Sequence, residues 1–277
     1  MIIKDALTEG RHRLSSAGFA EASLESELLL RRILSVDATN LFLRYNSQLS
    51  PEQIQAYNAL ISRRISGVPT AYLIGEREFY GLTVYVNHSV LIPRPETELL
   101  VSQTISAAGY YSNPVIVDVG TGSGAIAVAL ARHLPQAKFY AVDISQDALA
   151  VARRNAFRHG VLDKISFLLG DLLFPLPEPA DIIAANLPYV NSGELPDTGE
   201  PRTALDGGEG GLDIITRLIR ELPNKLNSEA NVLIEVGAGQ ADNVCRLLGA
   251  ALPTSSVQVF SDLAGIARVV QATISQR

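Results

Sequence analysis

A single cysteine, Cys245, stands in a chain of 277 residues. One thiol excludes an intrachain disulfide and a thiolate cluster around a metal. Its place in an apolar helical pattern marks it as a core residue. The four histidines (His12, His88, His133, His159) are scattered without metal-ligand spacing. His133 and His159 fall near expected helix ends, where a cation suits the dipole, and no metal is expected. Missing too is any run near the ~18 apolar residues of a membrane span. Met1-Ile2-Ile3-Lys4-Asp5 lacks the basic flank and apolar stretch of a signal peptide, so a cytoplasmic protein without a membrane partner is expected. There is no low-complexity tract, and 47% hydrophobic with 19% charged residues is an ordinary globular composition. Nor is there an excess of positive charge. A net charge of −6 argues against stable nucleic-acid binding through phosphate neutralisation, although a local basic patch remains compatible with it. Residues 1–70 carry eight Lys or Arg against seven Asp or Glu, so the acidity belongs to the rest of the chain.

The length admits one large domain or two, with a substantial core. Residues 1–75 look helical throughout. Ala22 to Leu34 places Leu24, Leu28, Leu29 and Ile33 on one face, the pattern of an amphipathic helix. Ser50-Pro51-Glu52-Gln53 offers a capping Ser, Pro at the first helical position and Gln at the third. The helix it opens carries Ile54, Tyr57, Leu60, Ile61 and Ile65 and stops at Gly67 and Pro69. A bundle of this sort docks a partner or covers its neighbour. From Glu78 to Ile92 the period changes to two (Phe79, Leu82, Val84, Val86, Val90), with a break at Asn87-His88. A β-hairpin joining two domains over residues 76–98 is the expected structure. It ends in Pro93-Arg94-Pro95-Glu96-Thr97-Glu98, a stiff linker or a site-lining loop whose charges need partners. Arg94 and Glu96 are therefore candidate substrate contacts.

Across residues 99–277 strand and helix alternate. Val115 to Val119 is a strand, followed by the glycine loop Gly120-Thr121-Gly122-Ser123-Gly124 and a helix through Leu134. Phe139 to Val142 ends at Asp143, and Ser145 can cap a helix stopped by Gly160. Ile165 to Leu169 ends at Gly170-Asp171, and Ile182 to Ala185 runs into Asn186-Leu187-Pro188-Tyr189. A helix from Leu212 to Leu226, a strand from Val232 to Val236, a helix over 241–250 and two closing β runs, Val257 to Phe260 and Ile266 to Val270, complete the pattern. This is a doubly wound α/β sheet.

Such sheets place ligands beyond the carboxyl ends of their strands. Glycines let a cofactor approach the backbone of the first turn, and Asp143 can take both hydroxyls of a ribose. Gly120, Gly122 and Ala125 also fit the loose dinucleotide pattern, so this motif alone leaves a nicotinamide cofactor open. Asp118, Asp171 and the Asn-Leu-Pro-Tyr element bring polar groups to the same edge, and nothing resembles a hydride-transfer apparatus. These features favour S-adenosylmethionine. Asn186 offers a side-chain carbonyl, Pro188 leaves the Leu187 carbonyl outside any helix or ladder, and Tyr189 adds a flat face. Two acceptors and a stacking surface suit a planar amino group, an amide or a nucleobase amine.

Five elements in order now resemble the glutamine N5-methyltransferases that act on bacterial peptide chain release factors: Pro93 to Glu98, Asp118 to Ala125, Asp143, Asn186 to Tyr189, and Glu200-Pro201-Arg202-Thr203-Ala204-Leu205-Asp206-Gly207-Gly208. The helical first domain, the hairpin and Asp262-Leu263-Ala264-Gly265 also fit, so the resemblance spans nearly the whole chain. It implies a Rossmann-like methyltransferase sheet of about seven strands, with a helical substrate-recognition domain in front. It implies that Gly120, Thr121, Gly122, Ser123, Gly124, Asp143, Asp171 and Asn186 hold S-adenosylmethionine, released as S-adenosylhomocysteine, with Leu172 packing by the adenine. Asn186, Leu187, Pro188 and Tyr189 would hold the acceptor glutamine, Asn186, Pro188 and Tyr189 being the expected catalytic residues. The partner implied is the Gly-Gly-Gln loop of a release factor. Methylation of an exocyclic base amine, or of a glutamine in a ribosomal protein, is the alternative. Two departures stand out: Leu187 replaces the family's usual Pro, and Leu172 replaces a common aromatic.

Overall fold

A computed structural model describes residues 1–275. The chain divides into two compact units, Met1–Glu76 with Asp197–Gly199, and Arg77–Pro196 with Glu200–Arg277. Five helices build the first: α1 (Ile3–Ser16), α2 (Ala22–Leu34), α3 (Ala38–Leu43), α4 (Pro51–Ile65) and α5 (Thr70–Ile74). The capping box at α4 forms in full, with Gln53 N donating to Ser50 Oγ at 3.2 Å and Ser50 N to Gln53 Oε1 at 2.9 Å. Asp37 caps α3 in the same sense, accepting from Asn40 N. The buried face of α2 is rotated from the expected one. Leu29 and Leu30 are fully buried, while Leu24 is 49% exposed. The cause is a polar contact, because Ser26 is buried against the Tyr57 hydroxyl at 2.7 Å. Gly10 permits it, since a Cβ there would stand 2.0 Å from the Tyr57 oxygen.

The second unit opens with a short hairpin, β1 (Glu76–Phe79) and β2 (Leu82–Tyr85), followed by α6 (Thr97–Ala108). Pairing stops at Tyr85, earlier than the period-two pattern suggests. Val86 and Val90 are buried, but in irregular backbone. Strand and helix then alternate: β3 (Val115–Val119), α7 (Ala125–His133), β4 (Lys138–Asp143), α8 (Gln146–Arg158), β5 (Ile165–Leu169) and β6 (Ala180–Ala185). After α9 (Asp213–Glu221) come β7 (Leu226–Glu235), α10 (Ala241–Ala251), β8 (Ser256–Ser261) and β9 (Ala267–Ile274). The expected helix over 212–226 is thus shorter. Pro223 cannot donate within a helix, the last turn tightens over Leu222–Asn224, and β7 begins six residues before Val232 by pairing Leu226 with Ala180.

The seven-stranded sheet has the order β5-β4-β3-β6-β7-β9-β8. The first five strands in that order are parallel, and β9 and β8 close the edge antiparallel. Strand order reverses between β3 and β6, the switch point where open α/β sheets leave a crevice. Register puts Val119 beside both Val142 and Ala185. Gly120, Asp143 and Asn186 therefore leave the sheet side by side. The parallel strands are apolar on both faces, as strands covered by helices must be, and Val117, Ile183, Val232 and Ile234 are wholly buried. No helix among the described residues is long and apolar enough to cross a membrane.

Candidate active site

A cavity of about 510 Å³ opens over the switch point, and all its walls belong to the second unit. Gly120, Thr121, Gly122 and Ser123 line it, with Asp143, Asp171 and Leu172 on one side and Asn186, Leu187 and Pro188 on another. Gly124, Glu96 and Tyr189 are off its wall. Gly124 instead precedes α7, packed so closely on α8 that a Cβ would meet Ala152 at 2.9 Å.

The glycine loop is pinned from below. Gly120 N and Thr121 N both donate to Val142 O at 2.9 Å. Thr121 Oγ1 and Ala127 N donate to Asp118 Oδ2 at 2.6 and 3.1 Å. Burial pushes Asp118 up to about 7, against those two bonds, and its Oδ1 has no partner among the described residues. Gly120 has φ of 72°, and a Cβ there would stand 2.9 Å from Leu187 Cδ2. The glycine is thus what lets the cofactor loop and the 186–189 turn touch.

Asp143 is less free than its position suggests. Its Oδ2 accepts from Gly122 N at 2.8 Å and its Oδ1 from Ser145 N at 2.9 Å. Burial raises its pKa while these N–H groups lower it. Each oxygen keeps a second lone pair, so the carboxylate can still meet ribose hydroxyls. Asp171 is taken by an ion pair with Arg217, also on the wall. Leu172, 6% exposed, has φ of 47°, a conformation rare outside glycine, and it lines the cavity. Exposed Ile144 gives a second apolar wall nearby. A glycine cradle, a carboxylate and two aliphatic faces fit a nucleoside-bearing ligand.

On the other side the two most distinctive motifs meet. Arg94 pairs with Glu200, which also accepts from Ile92 N at 2.9 Å. The segment 200–208 in turn holds the 186–190 turn: Val190 N donates to Leu205 O at 2.9 Å and Gly207 N to Val190 O at 2.8 Å. A Cβ on Gly207 would meet Pro188 O at 2.7 Å. Arg94 thus lines the cavity already engaged, and Glu96 sits at the start of α6.

Asn186 donates through Nδ2 to Thr97 Oγ1 at 3.0 Å, leaving Oδ1 as its outward acceptor. No donor among the described residues bonds the Leu187 carbonyl. The turn therefore carries two acceptors. Tyr189, expected to offer a stacking face, instead braces the turn, its hydroxyl 3.5 Å from Glu235 Oε1 and its carbonyl accepting from Gln240 Nε2 at 2.9 Å. Burial, then the neighbouring carboxyl, push the phenol up to about 12.

Sequence reading missed Thr97, Glu235 and Gln240 as parts of this turn, and Asn155 behind the loop. Glu235 did leave a signal, a charge at the end of the apolar run Val232-Leu233-Ile234. Asn155 left a weaker one, an amide on the buried face of α8.

The sheet order, with its antiparallel pair at the edge and its glycine turn after β3, defines a Rossmann-like methyltransferase. Comparison with known proteins agrees. A model described as the PrmC N-terminal domain matches residues 5–75, and one described as a methyltransferase domain matches 116–198. The chain is 38% identical to the release factor glutamine methyltransferase of Geobacter sulfurreducens, over 98% of this chain and 96% of that one. It is 37% identical to that of Moorella thermoacetica, over 96% of each. Among solved structures, ribosomal protein L11 methylase from Lactobacillus delbrueckii subsp. bulgaricus aligns with a TM-score of 0.51 at 21% identity, over 69% of this chain and 84% of that one, a likeness of fold. This chain belongs to the release factor glutamine methyltransferase family.

Proposed function

We propose that this enzyme transfers a methyl group from S-adenosylmethionine to the side-chain amide nitrogen of the glutamine in the Gly-Gly-Gln loop of a peptide chain release factor. The observation that carries this reading is the pair of unspent acceptors, Asn186 Oδ1 and the Leu187 carbonyl, held against the glycine loop. Family membership supplies the substrate class. The residues fit the cofactor. Gly120 to Ser123 and Asp143 would hold its nucleoside, with Leu172 and Ile144 beside the base, and Asn186 stands at the border with the acceptor. When bound, the cofactor supplies a methyl already activated on a sulfonium.

The protein's task is then to aim a poor nucleophile. An amide nitrogen shares its lone pair with its carbonyl. Two acceptors that take its N–H bonds turn that lone pair towards the methyl and favour the pyramidal nitrogen of the transition state. With the cofactor bound, transfer would form a C–N bond as the C–S bond breaks, and the amide proton would pass to water. Arg94 and Glu96 belong to the segment over which the loop would enter. Recognition of the release factor falls to the helical unit, residues 1–75, with 76–98 as the joining hairpin and 99–277 as the catalytic part. A release factor as substrate fits a cytoplasmic enzyme, for which no stable nucleic-acid or membrane binding is expected.

Incubation with labelled methyl donor and either release factor or nucleic acid tests the reading. Mass spectrometry is expected to find one added methyl on that glutamine. Gln→Glu in the loop sets oxygen against oxygen, and Gln→Asn leaves nitrogen a methylene short, so both are expected to fall by about a hundredfold or more. Comparable labelling of either variant, or of the nucleic acid, would rule out this acceptor.

A further inference from the structure

Three arginines line the cavity, and two of them are spent. Arg94 pairs with Glu200, and Arg217 with Asp171. The third, Arg202, is exposed, and its guanidinium makes no hydrogen bond or ion pair among the described residues. Asp206 is the carboxylate that feels its charge. The Oδ1 of Asp206, however, already accepts from Ser192 Oγ, and from Gly208 N at 3.0 Å. The backbone under Arg202 is firmly braced. Leu205 N and Asp206 N both donate to Arg202 O, at 3.0 and 2.8 Å, and Ala204 N donates to Pro201 O at 3.0 Å. On one side of this turn Glu200 is fixed by Arg94 and Ile92 N. On the other, Leu205 O takes the N–H of Val190, which ties the turn to the acceptor element. A solvated arginine is ordinary on a surface. One that lines a cavity and is rooted in the brace of the acceptor turn is placed for a ligand.

We propose that Arg202 is a substrate-binding residue that donates to main-chain carbonyls of the incoming Gly-Gly-Gln loop. The inference rests on the acceptor reading above and completes its hydrogen-bond count. Asn186 Oδ1 and the Leu187 carbonyl match the NH2 of the glutamine, and both only accept. A peptide loop brings carbonyl oxygens as well, and each gives up water on entering a cavity. Left without a donor, those oxygens would cost the complex affinity. A guanidinium carries five N–H groups in a planar fork, so it can serve two carbonyls at once, and its charge strengthens each bond. Glycine suits this partner because it has no Cβ to keep a flat cation from the backbone. The turn and Arg202 thus divide the loop between them: the turn takes its N–H groups, and the arginine takes its oxygens. A bond of this kind holds the peptide in the ground state and the transition state alike, so it belongs to binding rather than to the chemical step.

The full chain and its Arg202→Ala and Arg202→Lys variants are compared on two release factors, one with the native loop and one with Gly-Ala-Gln in its place. Calorimetry follows release factor binding to enzyme loaded with S-adenosylhomocysteine, and steady-state kinetics separates KM from kcat. Arg202→Ala is expected to weaken binding and raise KM by about ten- to a hundredfold, with kcat within about threefold of native. Arg202→Lys keeps the charge and loses the fork, so it is expected to recover only part. The Gly-Ala-Gln loop is expected to bind native enzyme more weakly and to cost Arg202→Ala much less, since both changes break one contact. Affinities for S-adenosylhomocysteine and for methylthioadenosine are expected to stay native in both variants, as is the thermal midpoint. Release factor affinity within about twofold of native in both variants, or losses that simply add with Gly-Ala-Gln, would overturn the proposal. So would weaker S-adenosylhomocysteine with native methylthioadenosine, which lacks the amino-acid part: Arg202 would then hold the cofactor's carboxylate. A lowered midpoint with kcat lost in both variants would make Arg202 part of the brace and overturn it too. A native chain that methylates no release factor would remove the acceptor reading and this inference with it, whereas unchanged variants of an active native chain would remove this inference alone.

Discussion

At Asp143 one carboxylate anchors Gly122 and Ser145 and faces the cavity as well. Asp143→Ala therefore removes the ligand contact and the tether of the loop together. Charge-assisted hydrogen bonds contribute about 1.5–3 kcal/mol each, so methyl-donor affinity is expected to fall by about tenfold or more while the fold is kept, with the thermal midpoint lowered because the Gly122 and Ser145 N–H groups lose their acceptor. Calorimetry showing native affinity would remove Asp143 from the site. Asn186 and Leu187 separate side-chain from backbone chemistry. Asn186→Ala takes away an acceptor that matters most as the nitrogen attacks, and a loss of about a hundredfold in single-turnover rate is expected with cofactor binding nearly native. Leu187→Pro keeps the carbonyl, and the Leu187 N–H makes no bond among the described residues that could be lost. It is expected to stay within a few-fold, its cost being the contact with Gly120. The opposite ranking would overturn the two-acceptor geometry. Asp143 and Asn186 were legible because each ends an apolar strand, Asp143 about twenty residues beyond the glycine loop and Asn186 two residues before Pro188. Thr97 was not, because its partner Asn186 lies 89 residues away, and only the folded sheet and α6 bring them together.

Between elements, the same limit appears in the hairpin. The alternation Val84, Val86, with Val90 beyond the break at Asn87-His88, points to a hairpin extending past Tyr85, and these side chains are indeed buried. The ladder nonetheless ends at Tyr85, because Asn155 of α8 satisfies its backbone: Tyr85 N donates to Asn155 Oδ1 at 2.7 Å and Asn155 Nδ2 to Tyr85 O at 2.9 Å. The same Nδ2 donates to Ser123 O at 2.8 Å, so a fully buried amide ties the hairpin to the cofactor loop. Periodicity reports burial, and it is silent on which partner takes the backbone. Asn155→Leu would orphan three backbone groups at about 1–3 kcal/mol each. Destabilisation of roughly 3 kcal/mol or more is expected in urea unfolding, together with weaker cofactor binding through the displaced loop. Lost stability with native affinity would reduce Asn155 to a clasp on the hairpin. Helix ends show the converse. The Ser50–Gln53 box and the Ser145 cap were legible because capping is local, within three residues.

For the molecule as a whole, the order of α and β segments was enough to give a helical unit followed by a doubly wound sheet. The strand order within that sheet was not, since nothing local says which side of β3 receives β6. That placement creates the crevice, and it decides where binding energy enters. Every residue lining the cavity lies between Phe79 and Arg217, within the second unit. A ligand that binds only the folded state stabilises it by about 2.7 kcal/mol at a hundredfold excess over its dissociation constant. For a unit of ~200 residues each kcal/mol moves the midpoint by about 2–4 °C. S-adenosylmethionine at that excess is therefore expected to raise the midpoint of the sheet unit by roughly 5–10 °C. Hydrogen exchange read by mass spectrometry locates the effect. Slowing is expected in peptides that carry β3 with the glycine loop, the end of β4, and the 186–190 turn, because their N–H groups already cross-brace the cavity through Val142 O, Asp143 and Leu205 O. A rise in midpoint with slowing elsewhere would mean that the methyl donor binds away from the switch point, and the assignment of Gly120 to Ser123 and Asp143 would fall with it.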